Sequence, residues 1–338
     1  MLIIMEAGCG QPLIEAVLGK ARELGMQASV VPGFQSPVIA LTGAAGPVDP
    51  GVFEAMAGVR QALDVSRQHY RLGSRSFKAA DSVIDASGVR FGGGGFVVAA
   101  GPCAVEDEDQ LLRVARAVKG AGARLLRGGA FKPRSSPYSF QGLGEDGLRI
   151  LAAVKKEVGL PVVTEATDPR SVAAVSETAD VIQIGARNMQ NFALLREAAR
   201  TGRTLLLKRS PSASLDEWLM AAEYILKEGN PNVVLCERGG RTAADPARSF
   251  LCLGMILAAR EASHLPVIAD PSHGSGRRRW VAPMAKSAAA LGAHGLIVEV
   301  HDQPERALSD GKQALSLPEF KSLMDQLRAL TPALGMSL

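Results

Sequence analysis

The chain has 338 residues, 47% of them apolar and only 4% aromatic, with a formal net charge of +4. Its basic residues gather at the ends of apolar runs rather than in aromatic-interleaved stretches, which argues against nucleic acid, and no apolar stretch reaches bilayer-spanning length. The four cysteines (Cys9, Cys103, Cys236, Cys252) form no CxxC pair, and Glu6 interrupts the opening MLIIMEAG before a signal-peptide core can form, so the expected address is the cytoplasm.

Residues 1–70 predict strand Leu2–Met5, helix Leu13–Leu24, strands Gln27–Val31 and Val38–Thr42, helix Val52–Gly58 and strand Gln61–Gln68. That order is the split βαβ unit of a small ferredoxin-like α+β domain. It carries no dense cluster of catalytic residue types, so a packing or regulatory role is expected. Residues 71–95 read as a linker and barrel-capping hairpin, Ser82–Ala86 and Val89–Phe91 about Ser87 and Gly88, closing on the run Gly92–Gly95. Residues 96–338 are expected to form the catalytic domain.

From Phe96 onward eight short apolar runs recur: FVVAAG, ARLLRGG, PVVTEA, DVIQIG, TLLLKR, NVVLCERG, PVIADPSHG and GLIVEVH. Each interval has room for a helix, as at Glu108–Lys119, Leu148–Val158, Pro169–Ser176, Asn191–Arg200 and Leu215–Glu228. Eight alternating strands and helices predict an α/β fold, a (β/α)8 barrel whose site lies at the C-terminal ends of the strands. Read in order, the run ends carry Cys103, Arg127, Glu165, Gln183 with Arg187, Lys208, Glu237 with Arg238, Asp270 with His273, and Glu299.

Two chemistries follow from those residue types. Cys103, His273, Glu299 and a carboxylate soon after it, Asp302 or Asp310, are metal-ligating groups of borderline softness that suit one divalent ion such as manganese, iron, zinc or cobalt. Arg127, Lys132, Arg134, Arg187, Lys208 and Arg238 form a cation array for anionic ligands, and so much positive charge asks for two anions. Arg209, alternating with Lys208, is expected to face away and make a structural contact.

The segments GPCAVE at 101–106, LLRGGAFKPRSSPYSFQG at 125–142, TEATDP at 164–169, VIQIGARNMQN at 181–191, LLLKR at 205–209, LCERG at 235–239, DPSHGSG at 270–276 and VEVHDQPERALSDG at 298–311 together resemble 3-deoxy-D-arabino-heptulosonate-7-phosphate (DAHP) synthases. The resemblance spans nearly the whole chain, and residues 1–95 look like the ferredoxin-like extension of the short single-barrel subclass. It implies condensation of phosphoenolpyruvate with erythrose 4-phosphate at the entry to the shikimate pathway. It assigns the metal to Cys103, His273, Glu299 and Asp310, the last by motif match. Phosphoenolpyruvate falls to Arg127, Lys132, Arg187, Lys208 and Arg238, and the aldehyde phosphate to the loop Lys132, Pro133, Arg134 and Ser135, where family members commonly have threonine at the last position. Lys132, Glu165 and His273 are the expected catalytic side chains, with Lys132 protonating the developing alkoxide and Glu165 either handling the attacking water or forming a structural ion pair with a neighbouring arginine. An aromatic amino acid effector and a homotetramer are implied by resemblance alone. The nearest alternative, 3-deoxy-D-manno-octulosonate-8-phosphate synthase, typically has an asparagine in the KPRSS loop and lacks both the GAR at 185–187 and the N-terminal extension. A Schiff-base aldolase using Lys208 and a metabolite-binding barrel without catalysis are the readings from other classes.

Overall fold

The structure, a computed structural model, describes residues 1–31, 36–43, 48–63, 70–134, 136–241 and 249–338. The chain divides into two compact units, Met1–His69 and Tyr70–Leu338.

In the first unit, β1 (Leu2–Met5), β2 (Gln27–Val31), β3 (Val38–Thr42) and β4 (Val59–Leu63) form an antiparallel sheet in the order β2-β3-β1-β4. Alternation puts Ile3, Met5, Ile39 and Leu41 on one face, where they pack against Ile14, Val17 and Ala21 of helix Gln11–Glu23 and against Phe53. Two expected elements come out shorter. The second helix is a single turn, Gly51–Glu54, because the chain turns at Ala55 and passes through Gly58 at φ +78°, a conformation that ends a helix. The final strand is described as Val59–Leu63, and its expected continuation over 64–68 lies outside the described residues.

The second unit opens with a segment tied to the barrel. The Glu223 carboxylate accepts the backbone N–H groups of Leu72 and Gly73 at 2.9 and 3.1 Å, and His264 Nε2 lies 2.7 Å from the Leu72 carbonyl. The hairpin β5 (Ile84–Ala86) and β6 (Val89–Phe91) follows. Then come β7 (Val97–Gly101), β8 (Leu125–Arg127), β9 (Val162–Ala166), β10 (Val181–Ile184), β11 (Thr204–Lys208), β12 (Val233–Glu237), β13 (Val267–Ala269) and β14 (Gly295–Glu299). All eight are parallel, and β14 pairs with β7 to close the barrel. Every residue of these strands is buried, which explains why the sequence shows continuous apolar runs rather than alternation. Helices between them are bounded by ordinary signals: Asp107 caps Gln110 N, and Gly122 at φ +105° ends helix Glu108–Ala121. The last interval holds two helices, Pro271–Ser275 and Arg278–Ala290, where one was expected.

Ile84, Ala86, Val89 and Phe91 of the hairpin cluster with inward-facing residues of the barrel strands, among them Val97, Val181, Leu206 and Val234. Ser87 Oγ donates to Asp180 at 2.6 Å, just before β10. The hairpin thus fills the N-terminal end of the barrel and leaves the C-terminal rim for chemistry.

Candidate active site

Cys103 follows β7, Glu299 ends β14, His273 lies in the short helix after β13, and Asp310 sits in the loop after β14. One ligand atom from each falls within 4.8 Å of all the others. Cys103 Sγ is 3.4 Å from Asp310 Oδ2, and His273 Nε2 is 3.4 Å from Glu299 Oε1 and 3.8 Å from Asp310 Oδ2. Asp302, left open by spacing, is engaged elsewhere: Arg113 Nε donates to it at 2.9 Å. Asp310 has φ +52°, a conformation that aspartate tolerates better than most side chains.

The residues beneath this cluster orient it. His273 Nδ1 lies 2.7 Å from Asp270 Oδ2, which holds a proton on Nδ1 and turns Nε2 toward Glu299 and Asp310. Asp270 also accepts from Lys208 Nζ at 2.5 Å. Glu299 accepts from Arg127 Nη1 at 2.8 Å and Gln313 Nε2 at 2.7 Å. Burial would push the Glu299 carboxyl up, but His273, Arg127 and Lys132 outweigh it and hold it well below the usual carboxylate range. Burial, reinforced by Glu299, pushes the Cys103 thiol up to about 12. A thiol, an imidazole that turns Nε2 to the cluster and two carboxylates, with ligand atoms within 4.8 Å of one another, fit a first-row divalent ion, and the sulfur donor disfavours a purely oxygen-seeking one.

Cations surround the cluster. Arg127, Lys208 and Arg238 are buried, Lys132 and Arg134 half-buried, and Arg187 exposed. Lys132 Nζ donates to the Cys103 carbonyl at 3.0 Å, Arg134 Nη1 to Ser309 Oγ at 2.5 Å, Arg187 Nη1 to the Pro133 carbonyl at 3.3 Å and Arg238 Nη1 to Ser249 Oγ at 3.4 Å. Burial works against the Lys132 ammonium, but Cys103 and Glu165 more than offset it, so its pKa is raised and it carries its proton at neutral pH. Ser135 lies outside the described residues.

Two rim residues depart from simple expectation. Glu237 does not face the site: it is fully buried, forms a two-pronged ion pair with Arg209, and accepts the backbone N–H of Gly239 at 2.7 Å. Arg209 makes the structural contact expected of it. Glu165 takes its hydrogen bond from Gln183 Nε2 at 2.9 Å rather than from an arginine. Gln313 and Ser309 were missed as site members, with no local signal to find them, whereas Asp270 was read at its strand end beside His273 but was given no role.

Gly185 gives a direct test of Glu165. Its backbone, at φ −66° and ψ 156°, suits any residue, but a Cβ there would lie 2.0 Å from Glu165 Oε1. Gly185→Ala should therefore displace the carboxylate without straining the main chain, lowering kcat by roughly tenfold to a hundredfold while the melting temperature stays near wild type. Steady-state rates beside a thermal melt check this.

Comparison with known proteins identifies the family. Residues 76–334 match the model of the DAHP synthetase I family. The chain belongs to that family. Residues 1–67 separately match the DAHP synthase ferredoxin-like domain. Among family relatives, phospho-2-dehydro-3-deoxyheptonate aldolase of Thermotoga maritima is 42% identical over 338 residues, the full length of both chains. A crystal structure of DAHP synthase from Thermotoga maritima matches with a TM-score of 0.86 at 42% identity, covering 99% of this chain and 98% of that one. A 2-dehydro-3-deoxyphosphooctonate aldolase of Syntrophobacter fumaroxidans is more distant, 32% identical over 250 residues, 69% of this chain and 86% of its own.

Proposed function

We infer that the protein is a DAHP synthase, condensing phosphoenolpyruvate with erythrose 4-phosphate and water to give 3-deoxy-D-arabino-heptulosonate 7-phosphate and phosphate. The observation that carries this reading is the full-length match, through both units, to DAHP synthases rather than to the octulosonate enzymes.

In this reading the buried Arg127, Lys208 and Arg238, with Lys132 and Arg187, hold phosphoenolpyruvate by its carboxylate and phosphate. The loop Lys132, Pro133, Arg134 and Ser135 takes the phosphate of the aldehyde. Cys103, His273, Glu299 and Asp310 would hold the divalent ion, which supplies Lewis acidity toward the aldehyde oxygen. The methylene carbon of the enol attacks the aldehyde carbon, and the protonated Lys132 ammonium delivers a proton to the new alkoxide. Glu165, held by Gln183, orients and deprotonates the water that adds to the second carbon before phosphate departs by carbon–oxygen cleavage. His273 contributes as a ligand whose proton is fixed on Nδ1 by Asp270.

The decisive experiment is phosphate release from phosphoenolpyruvate with erythrose 4-phosphate or arabinose 5-phosphate, before and after chelation and manganese add-back. Release with the four-carbon aldehyde that is lost on chelation and restored by manganese is expected; preference for the pentose would move the protein to the octulosonate reaction. Glu165→Gln should lose turnover by roughly a hundredfold, the usual scale of a general base. Near-normal turnover would remove Glu165 from the water step.

Feedback control by an aromatic amino acid through residues 1–70, a homotetrameric assembly and a cytoplasmic address are further parts of the proposal, supported by the ferredoxin-like match at 1–67 and by family likeness. Among the described residues no helix is long and apolar enough to cross a membrane.

A further inference from the structure

One carboxylate outside the site touches two of the segments that build it and belongs to a third. Glu106 lies three residues after Cys103. Its Oε1 accepts the backbone N–H of Leu308 at 2.8 Å, two residues before Asp310, and lies 3.3 Å from Nε2 of His301, two residues after Glu299. Gln303 N donates to His301 Nδ1 at 3.0 Å, with Asp302 Oδ1 3.2 Å from the same nitrogen, and the ring turns Nε2 to Glu106. The side chains of Glu106 and His301 are only 12% and 5% exposed, so the contact between them is largely shielded from water, while Leu308 stands at the surface.

We propose that Glu106 is a positioning residue for the metal centre, one carboxylate oxygen setting the register of the Cys103, Glu299 and Asp310 segments against one another. Asp310 needs such a device more than the other ligands. Cys103 follows directly on a barrel strand and Glu299 belongs to one, while Asp310 hangs on the irregular stretch 300–313, in which the only regular element is the turn Pro304–Arg306. The Leu308 bond fixes that stretch two residues before the ligand. Nothing in this role requires Glu106 to touch substrate or ion, and no acid or base chemistry is asked of it. A glutamine retains the acceptor oxygen, an alanine does not.

The inference rests on the metal-site reading above, so the test separates the two. Full-length apoprotein is titrated with Mn2+ in equilibrium dialysis, with metal counted by atomic absorption and no turnover required. Wild type should bind and Cys103→Ser should not. Glu106→Ala should weaken binding by roughly ten- to a hundredfold, the scale typical of residues that orient ligands. Glu106→Gln should restore it, because its amide oxygen still accepts the Leu308 N–H. In an Asp310→Asn background, which keeps the left-handed backbone conformation, adding Glu106→Ala should cost little more, since the ligand through which it acts is already removed. If Cys103→Ser binds like wild type, the site assignment falls and the proposal with it. If Cys103→Ser fails but Glu106→Ala binds normally, or if Glu106→Gln is as weak as the alanine variant, the proposal alone is overturned. A penalty in the Asp310→Asn background equal to that in wild type would likewise overturn it, by showing that Glu106 does not act through the ligand.

Discussion

Cys103→Ser should lose bound metal and turnover together, with kcat reduced by roughly a thousandfold or more, a scale in keeping with the removal of a major charge-stabilising element. The serine hydroxyl is almost isosteric, so the fold should survive; what changes is the donor. A thiolate is a far better ligand for a borderline divalent ion than an alcohol that would have to give up its proton. The thiol in the free protein has been pushed up to about 12 by burial and by Glu299, so it is protonated at neutral pH and the ion must displace that proton. Wild type should therefore release a proton from Cys103 on binding, and above pH 7 its apparent metal affinity should rise by about tenfold per pH unit. Cys103→Ser should show neither. Dialysis of metal against a pH series, with proton release followed by indicator dye, checks both; an active serine variant that binds no metal would contradict the ligand assignment.

The second large effect is on stability. Lys208 and Asp270 are both nearly inaccessible to water, and Lys208→Met would leave Asp270 with His273 as its remaining ionic partner. Removing one member of a buried pair typically costs about 3–5 kcal/mol, because the other charge stays desolvated. Urea unfolding should show a loss of that size for Lys208→Met, and the double variant with Asp270→Asn should recover much of it by removing the stranded charge. The pH dependence follows from the direction of the shift. Burial would raise the Asp270 pKa, but His273 and Lys208 reverse this and hold it well below the usual range. A depressed folded pKa gives stability that is full above the unfolded value near 4 and is lost as pH falls toward the folded one. The wild-type advantage over the double variant should thus be flat through neutrality and close only in acid. A gap that closed on the alkaline side of neutrality would show that Asp270 is not the group responsible.

Most of the barrel was legible because parallel strands buried on both faces must be apolar throughout, and eight such runs ending in polar residues leave little else for the chain to form. Strand ends were read well for the same reason: Arg127, Lys208 and Glu299 stand where a continuous apolar run stops. Direction around the rim was not legible. Glu237 occupies an equivalent position to Lys208, yet it turns to Arg209, and nothing local distinguishes a charge that faces a ligand from one that finds a buried partner. Long-range partners were equally hidden. Gln313 and Ser309 reach the site only because the stretch after β14 folds back over Glu299 and Cys103. The same fold-back brings Asp310 to Cys103, His273 and Glu299 and leaves Asp302 with Arg113, a difference that spacing could not show.

The hairpin packs its apolar residues into the lower end of a barrel whose strands are already buried throughout, so the rim is the end left to ligands. In the proposed reading the buried cations Arg127, Lys208 and Arg238 are the deeper part of the enol phosphate site and the loop from Lys132 to Ser135 the shallower aldehyde site. An excess of the phosphorylated aldehyde should then obstruct entry of the enol phosphate rather than speed the reaction.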